Sequence, residues 1–235
     1  MPKHQKRMSA SNVVAIPKKG KTWMAAPSPG PHPAARSITL LTAVRDRLKV
    51  VDSAKEARYI IGSREVMVDQ RVVRDHKLPL GLMDTVSIPK TKENYRVLLD
   101  KKGRLQLTHI EEKEAAWKLC RVEGKTTLKG GLHQLNLHDG RNVLVEKDVY
   151  KTGDTVKIEL PSQKILAHHP LAKGATAMVI GGSHTGNMAQ VDHRIPKKGS
   201  SEDLIELEGG FRTIRSHIFV VGSGRAEVVV PEVIL

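Results

Sequence analysis

Charge and proline are segregated at the start of this chain, and that segregation limits what its first forty residues can fold into. Residues 1–45 contain eight Lys or Arg and no Asp or Glu, and six of the twelve prolines fall before residue 34. Proline removes a backbone donor and fixes φ, so residues 25–35 are extended and cannot lie inside a helix. A like-charged stretch of this kind cannot build a core by itself. Residues 1–38 therefore read as a basic extended arm, able to reach about 120 Å. Its self-repulsion is relieved when its cations replace counterions on a polyphosphate. Lys3, Lys6, Arg7, Lys18, Lys19, Lys21 and Arg36 are the candidate phosphate contacts. Trp23 also lies in this arm. An indole with no local core to enter packs on a base, in a partner's pocket, or back on its own domain.

The remaining 190 residues are different in kind. They carry only +6 of the net charge of +14, and the composition of the whole chain is 39% hydrophobic. A length of 235 residues fits several small domains better than one large one. The cationic surplus points to a polyanionic partner. No run of about 18 apolar residues is present, so no transmembrane helix is expected. The first thirty residues have no apolar stretch of the kind a secretory signal needs. The arm also lacks the apolar stripe of a membrane-surface helix. One cysteine, Cys120, makes no internal disulfide and has no thiol partners for a zinc site. Seven aromatic residues are too few for nucleic-acid binding on a sheet of stacking rings.

Periodicity places the elements. Thr39–Lys49 sets Leu40, Leu41, Val44 and Leu48 on one helical face. Ser53-Ala-Lys-Glu56 is a capping box that opens a second helix, with Ala54, Ala57 and Ile61 inward, Lys55 and Arg58 outward, and Gly62 at its end. Val66 and Val68 alternate as a strand, Asp69 and Gln70 turn, Val72 and Val73 return, and Thr85–Ile88 is a further strand. Tyr95–Leu99 and Arg104–Leu107 form a hairpin around the turn at 100–103. Glu111–Leu119 reads as a helix with Ala115, Ala116 and Leu119 inward. Strands follow near Leu135 and over Asn142–Val145, Thr155–Leu160, Ala175–Ile180, Met188–His193, Leu204–Leu207 and His217–Val221. Short strands at regular spacing with Gly turns fit a small barrel over 171–222. Residues 223–235 have no evident place in a core.

The motifs that could carry catalysis are incomplete. Gly181-Gly-Ser-His-Thr-Gly186 starts like a phosphate loop, but Asn187 and Met188 stand where Lys and Ser or Thr are needed, and a strand follows instead of a helix. A tight Gly turn explains it. The eleven histidines show no metal-ligand spacing. His168 and His169 are adjacent and in a strand face opposite ways. Glu111, Glu112 and Glu114 read as a solvated face, and Cys120 as inert core. Nothing assembles a nucleophile, a base and an oxyanion hole, so no enzyme and no cofactor are expected.

The order of parts resembles a known family. Ser53-Ala-Lys-Glu-Ala-Arg58, Val66-Met-Val68 and Gly81-Leu-Met-Asp84 leading into Val86 and Ile88 are similar to the RNA-binding module of the archaeal and eukaryotic type of ribosomal protein four of the small subunit. Relatives often carry Asn-Gly or Asp-Gly where this chain has Asp69 and Gln70. Gly174, Val179, Gly181, Gly182, Gly186, Ala189 and Val191 resemble a KOW motif. Trp23-Met24, Gly30-Pro-His32 and Lys118-Leu-Cys-Arg-Val122 match the family's arm and central domain. The resemblance implies an α+β multidomain chain: arm 1–38, RNA-binding module 39–90, β-rich central domain 91–170, KOW barrel 171–222 and tail 223–235. It implies a structural, non-catalytic protein of the cytoplasmic small ribosomal subunit. Its partners would be ribosomal RNA and neighbouring ribosomal proteins, with no membrane and no small-molecule substrate. Arg45, Arg47, Lys49, Lys55, Arg58 and Arg64 are then the module's RNA face. Gly182, His184, Gly186 and Asn187 are the KOW loop's contacts, although relatives usually have a basic residue at the Asn187 position. Two other classes remain open: a transcription-elongation or other RNA-binding module using the KOW barrel, and an RNA-modifying enzyme, for which the middle domain looks too small.

Overall fold

The computed structural model describes residues 4–197, 199 and 201–228. Lys3 and residues 229–235 of the expected tail lie outside them. The chain is β-rich with few and short helices, and it divides into two compact units. The first comprises residues 1–100, 104–118 and 160–162; the second comprises 101–103, 119–159 and 163–235.

In the first unit, β1 (Gln5–Lys6) and β2 (Trp23–Met24) pair as an antiparallel ribbon. β3 (Ile38–Thr39) leads into α1 (Leu40–Thr42), where the Thr39 side chain caps the Thr42 N–H at 3.4 Å. A π-helical turn over Ala43–Arg47 follows, closed by the Leu48 N–H on the Ala43 carbonyl at 2.9 Å. The helix α2 (Ala54–Gly62) starts at the expected capping box: the Glu56 N–H donates to Ser53 Oγ at 3.1 Å, and the Ser53 N–H to the Glu56 carboxylate at 3.3 Å. The hydrogen bond from the Ser53 backbone is the main reason the exposed Glu56 carboxyl is lowered below its usual value.

Then come β4 (Met67–Val68), β5 (Arg71–Val72), β6 (Pro79–Leu80), β7 (Thr85–Ile88), β8 (Glu93–Leu99) and β9 (Leu105–Ile110). β6 pairs with β3, and the others form one sheet in the order β5-β4-β7-β8-β9. β7 and β8 pair across the turn at 89–92, so the hairpin of β8 and β9 shares its sheet with the strands of 67–88. The β4–β5 turn has Asp69 at φ 50° and Gln70 at φ 60°, the two left-handed residues of a type I′ hairpin. Glycine usually supplies that geometry. Here tertiary contacts hold it: Asp69 accepts from the Thr85 N–H at 2.9 Å, and Gln70 donates to the Ala115 carbonyl at 3.3 Å.

The expected helix Glu111–Leu119 is shorter. It spans α3 (Glu112–Ala115) and gives way to β10 (Trp117–Thr127), in which residues 118–122 are buried without a break. Helical periodicity lost because Lys118, a surface residue by composition, is fully buried between Asp69 and Asp84. Nor is the arm core-less along its whole length. Val14 and Ile16 are buried, and the Leu105 N–H donates to the Val13 carbonyl at 2.8 Å.

The second unit contains two five-stranded sheets. One has the order β12-β11-β10-β13-β14, formed by β10 with β11 (His133–Leu137), β12 (Asn142–Val145), β13 (Thr155–Glu159) and β14 (Ile165–His169). Its core is Cys120, Val122, Leu135, Leu137, Val156 and Ile158. The other has the order β18-β17-β16-β15-β19, formed by β15 (Ala175–Val179), β16 (Met188–Ile195), β17 (Leu204–Leu207), β18 (Arg212–Ile214) and β19 (Ile218–Ser223). Alternate residues such as Ala175, Ala177, Val179, Ile205, Leu207, Ile218 and Val220 fill its core. β14 and β18 were not expected from periodicity. Past β19 the chain folds back: Val228 is buried, and a Cβ on Gly222 would stand 1.9 Å from the Arg225 carbonyl oxygen.

Candidate nucleic-acid interface

The cations singled out in the sequence separate into two groups once burial is known. Arg7 is buried; its guanidinium donates to the Pro17 carbonyl at 3.1 Å and to Asp46 at 3.2 Å. Arg45 donates to the same carboxylate at 2.7 Å. Burial works to raise the Asp46 carboxyl, and the hydrogen bonds and charges of Arg45 and Arg7 outweigh it, so the group is lowered. Arg47 donates to the Ala15 carbonyl at 3.1 Å. Arg7 and Arg47 clasp the arm to the π-helical turn, and Arg45 braces the Asp46 carboxylate that Arg7 uses.

The second group is free of such duties. Lys19, Lys21, Arg36, Lys49, Lys55, Arg58 and Arg64 are exposed, and none makes an ion pair among the described residues. Lys55 and Arg58 stand three apart on α2, opposite the buried Ala57 and Ile61. Lys18 is half-buried and donates to Asn12 at 2.9 Å, while Lys6 lies over the Trp23 ring at 5.8 Å. Unpaired cations on a rigid helix are suited to phosphate oxygens.

Three cations that the sequence reading passed over belong to the same unit. Arg71, Arg74 and Lys77 are exposed on and after β5. His76, between them, is lowered by burial first and by the Arg58 charge next, which places Arg58 near this segment. The signal was the pair Arg71 and Arg74 on either side of Val72 and Val73, masked by their position beside a turn.

One buried cluster ties the arm to this unit. Asp84 accepts from Lys118 Nζ at 2.5 Å, from the Gly81 N–H at 2.8 Å and pairs with His32 Nε2 at 3.0 Å; Lys118 also donates to Asp69 at 2.9 Å. Burial pushes the Asp84 carboxyl up, but the Lys118 and His32 charges hold it far below the usual carboxylate range. Gly81 lies against the His32 imidazole, since a Cβ there would approach the ring to 2.3 Å.

In the second unit, the loop 181–187 joins β15 to β16. Gly182 and Gly186 have φ near +85°, and the Gly186 N–H donates to the Val179 carbonyl at 2.8 Å. Gly186 is buried, whereas Gly182 and Asn187 are exposed. The His184 ring lies 4.8 Å from Phe211, and Lys101 lines the same concavity as Asn187. Elsewhere in this unit, Cys120, His138 and Asp139 meet with potential ligand atoms within 4.8 Å of one another. His138 Nδ1 accepts the Arg121 N–H at 3.2 Å and Asp139 pairs with Arg141 at 3.1 Å, so hydrogen bonding already accounts for the group. Among the described residues, no helix is long and apolar enough to cross a membrane.

Comparison with known proteins accords with this picture. A sequence profile described as Ribosomal family S4e matches residues 91–165. The small ribosomal subunit protein eS4 of Methanocaldococcus jannaschii is 44% identical over 94% of both chains. That of Methanothermobacter thermautotrophicus is 43% identical over 97% of this chain and 96% of the relative. The crystal structure of the 30S ribosomal protein S4e from Thermoplasma acidophilum superposes with a TM-score of 0.72 at 34% identity, covering 80% of this chain and 96% of that one. By sequence along nearly its whole length, and by fold, this chain belongs to the S4e family of ribosomal proteins.

Proposed function

We infer that this protein is a structural constituent of the small ribosomal subunit that binds ribosomal RNA, sits among other ribosomal proteins and supports translation; it is not an enzyme. The observation that carries the RNA-binding surface is the division of the cations. The guanidinium groups of buried Arg7 and half-buried Arg45 and Arg47 are engaged by partners within the protein, whereas Lys55, Arg58, Arg64, Lys49 and Arg36 are exposed and make no ion pair among the described residues. The second set is the RNA face, extended by Arg71, Arg74 and Lys77 and by Lys19 and Lys21 of the arm. These groups read backbone and shape, because they are point charges and forks without base-edge partners in a deep RNA groove.

The finer architecture follows the same reading. Residues 1–38 are the RNA-directed arm, with its buried residues as anchor points, and 39–90 the α/β RNA-binding module. Residues 91–170 are the central region, 171–222 a KOW barrel and 223–235 the tail. The antiparallel order β18-β17-β16-β15-β19, with a Gly-rich loop between β15 and β16, supports the barrel. Its loop meets RNA through Gly182, His184 and Asn187, with Lys101 supplying positive charge beside Asn187; buried Gly186 shapes the loop.

Sedimentation of a cell extract through a density gradient in high-salt buffer tests the assignment. Stoichiometric presence in the small-subunit peak is expected. Recovery at the top of the gradient, or with RNA polymerase, would overturn it.

A further inference from the structure

The β1–β2 ribbon holds an indole in solvent that no core contact explains. Trp23 is 55% exposed, one of the largest exposed apolar groups among the described residues. It is not loose. Lys6 is its register partner across the ladder, with the ammonium 5.8 Å from the ring centroid, and the His4 ring lies 5.8 Å away. The Arg7 N–H extends the ladder to the Thr22 carbonyl at 2.9 Å, and the buried Arg7 guanidinium fastens the ribbon to Asp46. An aromatic ring displayed on an anchored ribbon loses little conformational freedom when a partner arrives.

The charge around it selects the partner. Lys6 lies over the ring, Lys19 and Lys21 precede Trp23 closely in the chain, and residues 1–45 have no carboxylate. An apolar protein pocket has no use for that surplus, whereas a nucleotide offers a π-face to the indole and phosphates to the lysines. A base inside a duplex has both faces covered by its neighbours, so the occupant must be unpaired. We propose that Trp23 is a stacking platform for a single unpaired RNA nucleotide, such as a bulged base, whose flanking phosphates are held by Lys6 and Lys21. This rests on the RNA-binding reading above and adds to it a preference that backbone contacts alone do not produce.

The test uses the full chain and three RNA stem-loops of one sequence: fully paired, with a one-nucleotide bulge, and with an abasic bulge. Trp23 and Trp117 are the only tryptophans, and Trp117 is half-buried with the Arg96 guanidinium 4.1 Å from its ring centroid, so quenching by RNA reports Trp23. The bulged stem should bind tighter than the other two and quench emission. Trp23→Ala should lower affinity for the bulged stem about 5- to 150-fold, towards that of the paired stem, and Trp23→Phe should retain most of the binding. The urea midpoint of each variant separates a lost platform from a lost fold. Equal effects of Trp23→Ala on all three stems, or equal quenching by the abasic bulge, would overturn the proposal. So would unchanged RNA affinity with reduced incorporation into subunits, which would assign the ring to a protein neighbour. If the unaltered chain bound none of the stems, the broader RNA-binding reading would itself fail.

Discussion

Replacing Lys118 by Met should destabilise the first unit in a way that depends on pH. Lys118 is fully buried and donates to two buried carboxylates, Asp69 at 2.9 Å and Asp84 at 2.5 Å. Met preserves the stem and removes the charge. Asp84 keeps His32 and the Gly81 N–H, and Asp69 keeps the Thr85 N–H and hydroxyl. What is lost is the cation between two anions, and breaking such a buried pair costs about 3–5 kcal/mol. At roughly 4 °C per kcal/mol for a unit of this size, the melting temperature should fall by about 12–20 °C.

The sign of the pH dependence distinguishes this from simple mispacking. In the unaltered chain the Asp84 pKa is depressed, so its contribution is fully present above the unfolded carboxylate pKa and is lost as pH falls through the folded value. Without Lys118 the strongest charge opposing burial is gone, so the Asp84 carboxyl rises from its depressed position. The variant then loses less stability than the parent as pH falls. The gap between the two proteins should be widest near neutrality and narrow below about pH 4. Urea denaturation followed by tryptophan fluorescence is the assay, since both tryptophans lie in the first unit. The triple change Lys118→Met, Asp69→Asn, Asp84→Asn removes all three charges and should recover more than half of the loss. A single variant within about 1 kcal/mol of the parent, a gap that ignores pH, or a triple variant no better than the single would refute the reasoning.

Three other outcomes are expected. Lys55→Ala with Arg58→Ala should weaken RNA binding, reduce the salt slope by about two, and change stability by less than about 1 kcal/mol, because both side chains are exposed on α2; filter binding across a salt series and a urea melt check both halves. Lys19→Gln with Lys21→Gln should lower the salt slope of binding by about 1.5–2 through lost counterion release, with an unchanged slope counting against the arm as a phosphate binder. Deleting residues 2–36 should cost stability as well as RNA affinity, since Val14 and Ile16 are buried and alone contribute about 3–6 kcal/mol. A truncated chain with the parental urea midpoint would show that the arm's contacts are incidental.

Read alone, the sequence determined whatever depends on neighbours a few residues apart. The capping box at Ser53 and Glu56, the inward Ala57 and Ile61 of α2, the strand Thr85–Ile88 and the strands β15, β16, β17 and β19 were all legible, because capping and alternation are local. The arm's charge and proline content were legible for the same reason, as was the family resemblance. Tertiary structure alone decided which cations are surface and which are interior. Arg7 and Lys118 look like Lys55 and Arg58 in sequence; only the distant carboxylates of Asp46, Asp69 and Asp84 make their burial tolerable. The same partners ended the expected helix at Ala115 and drew Trp117–Thr127 into a strand. Contacts with Thr85 and Ala115, also distant in sequence, hold Asp69 and Gln70 in a left-handed turn without glycine. A buried charge is settled by groups dozens of residues away, and no local pattern records which of them will meet it.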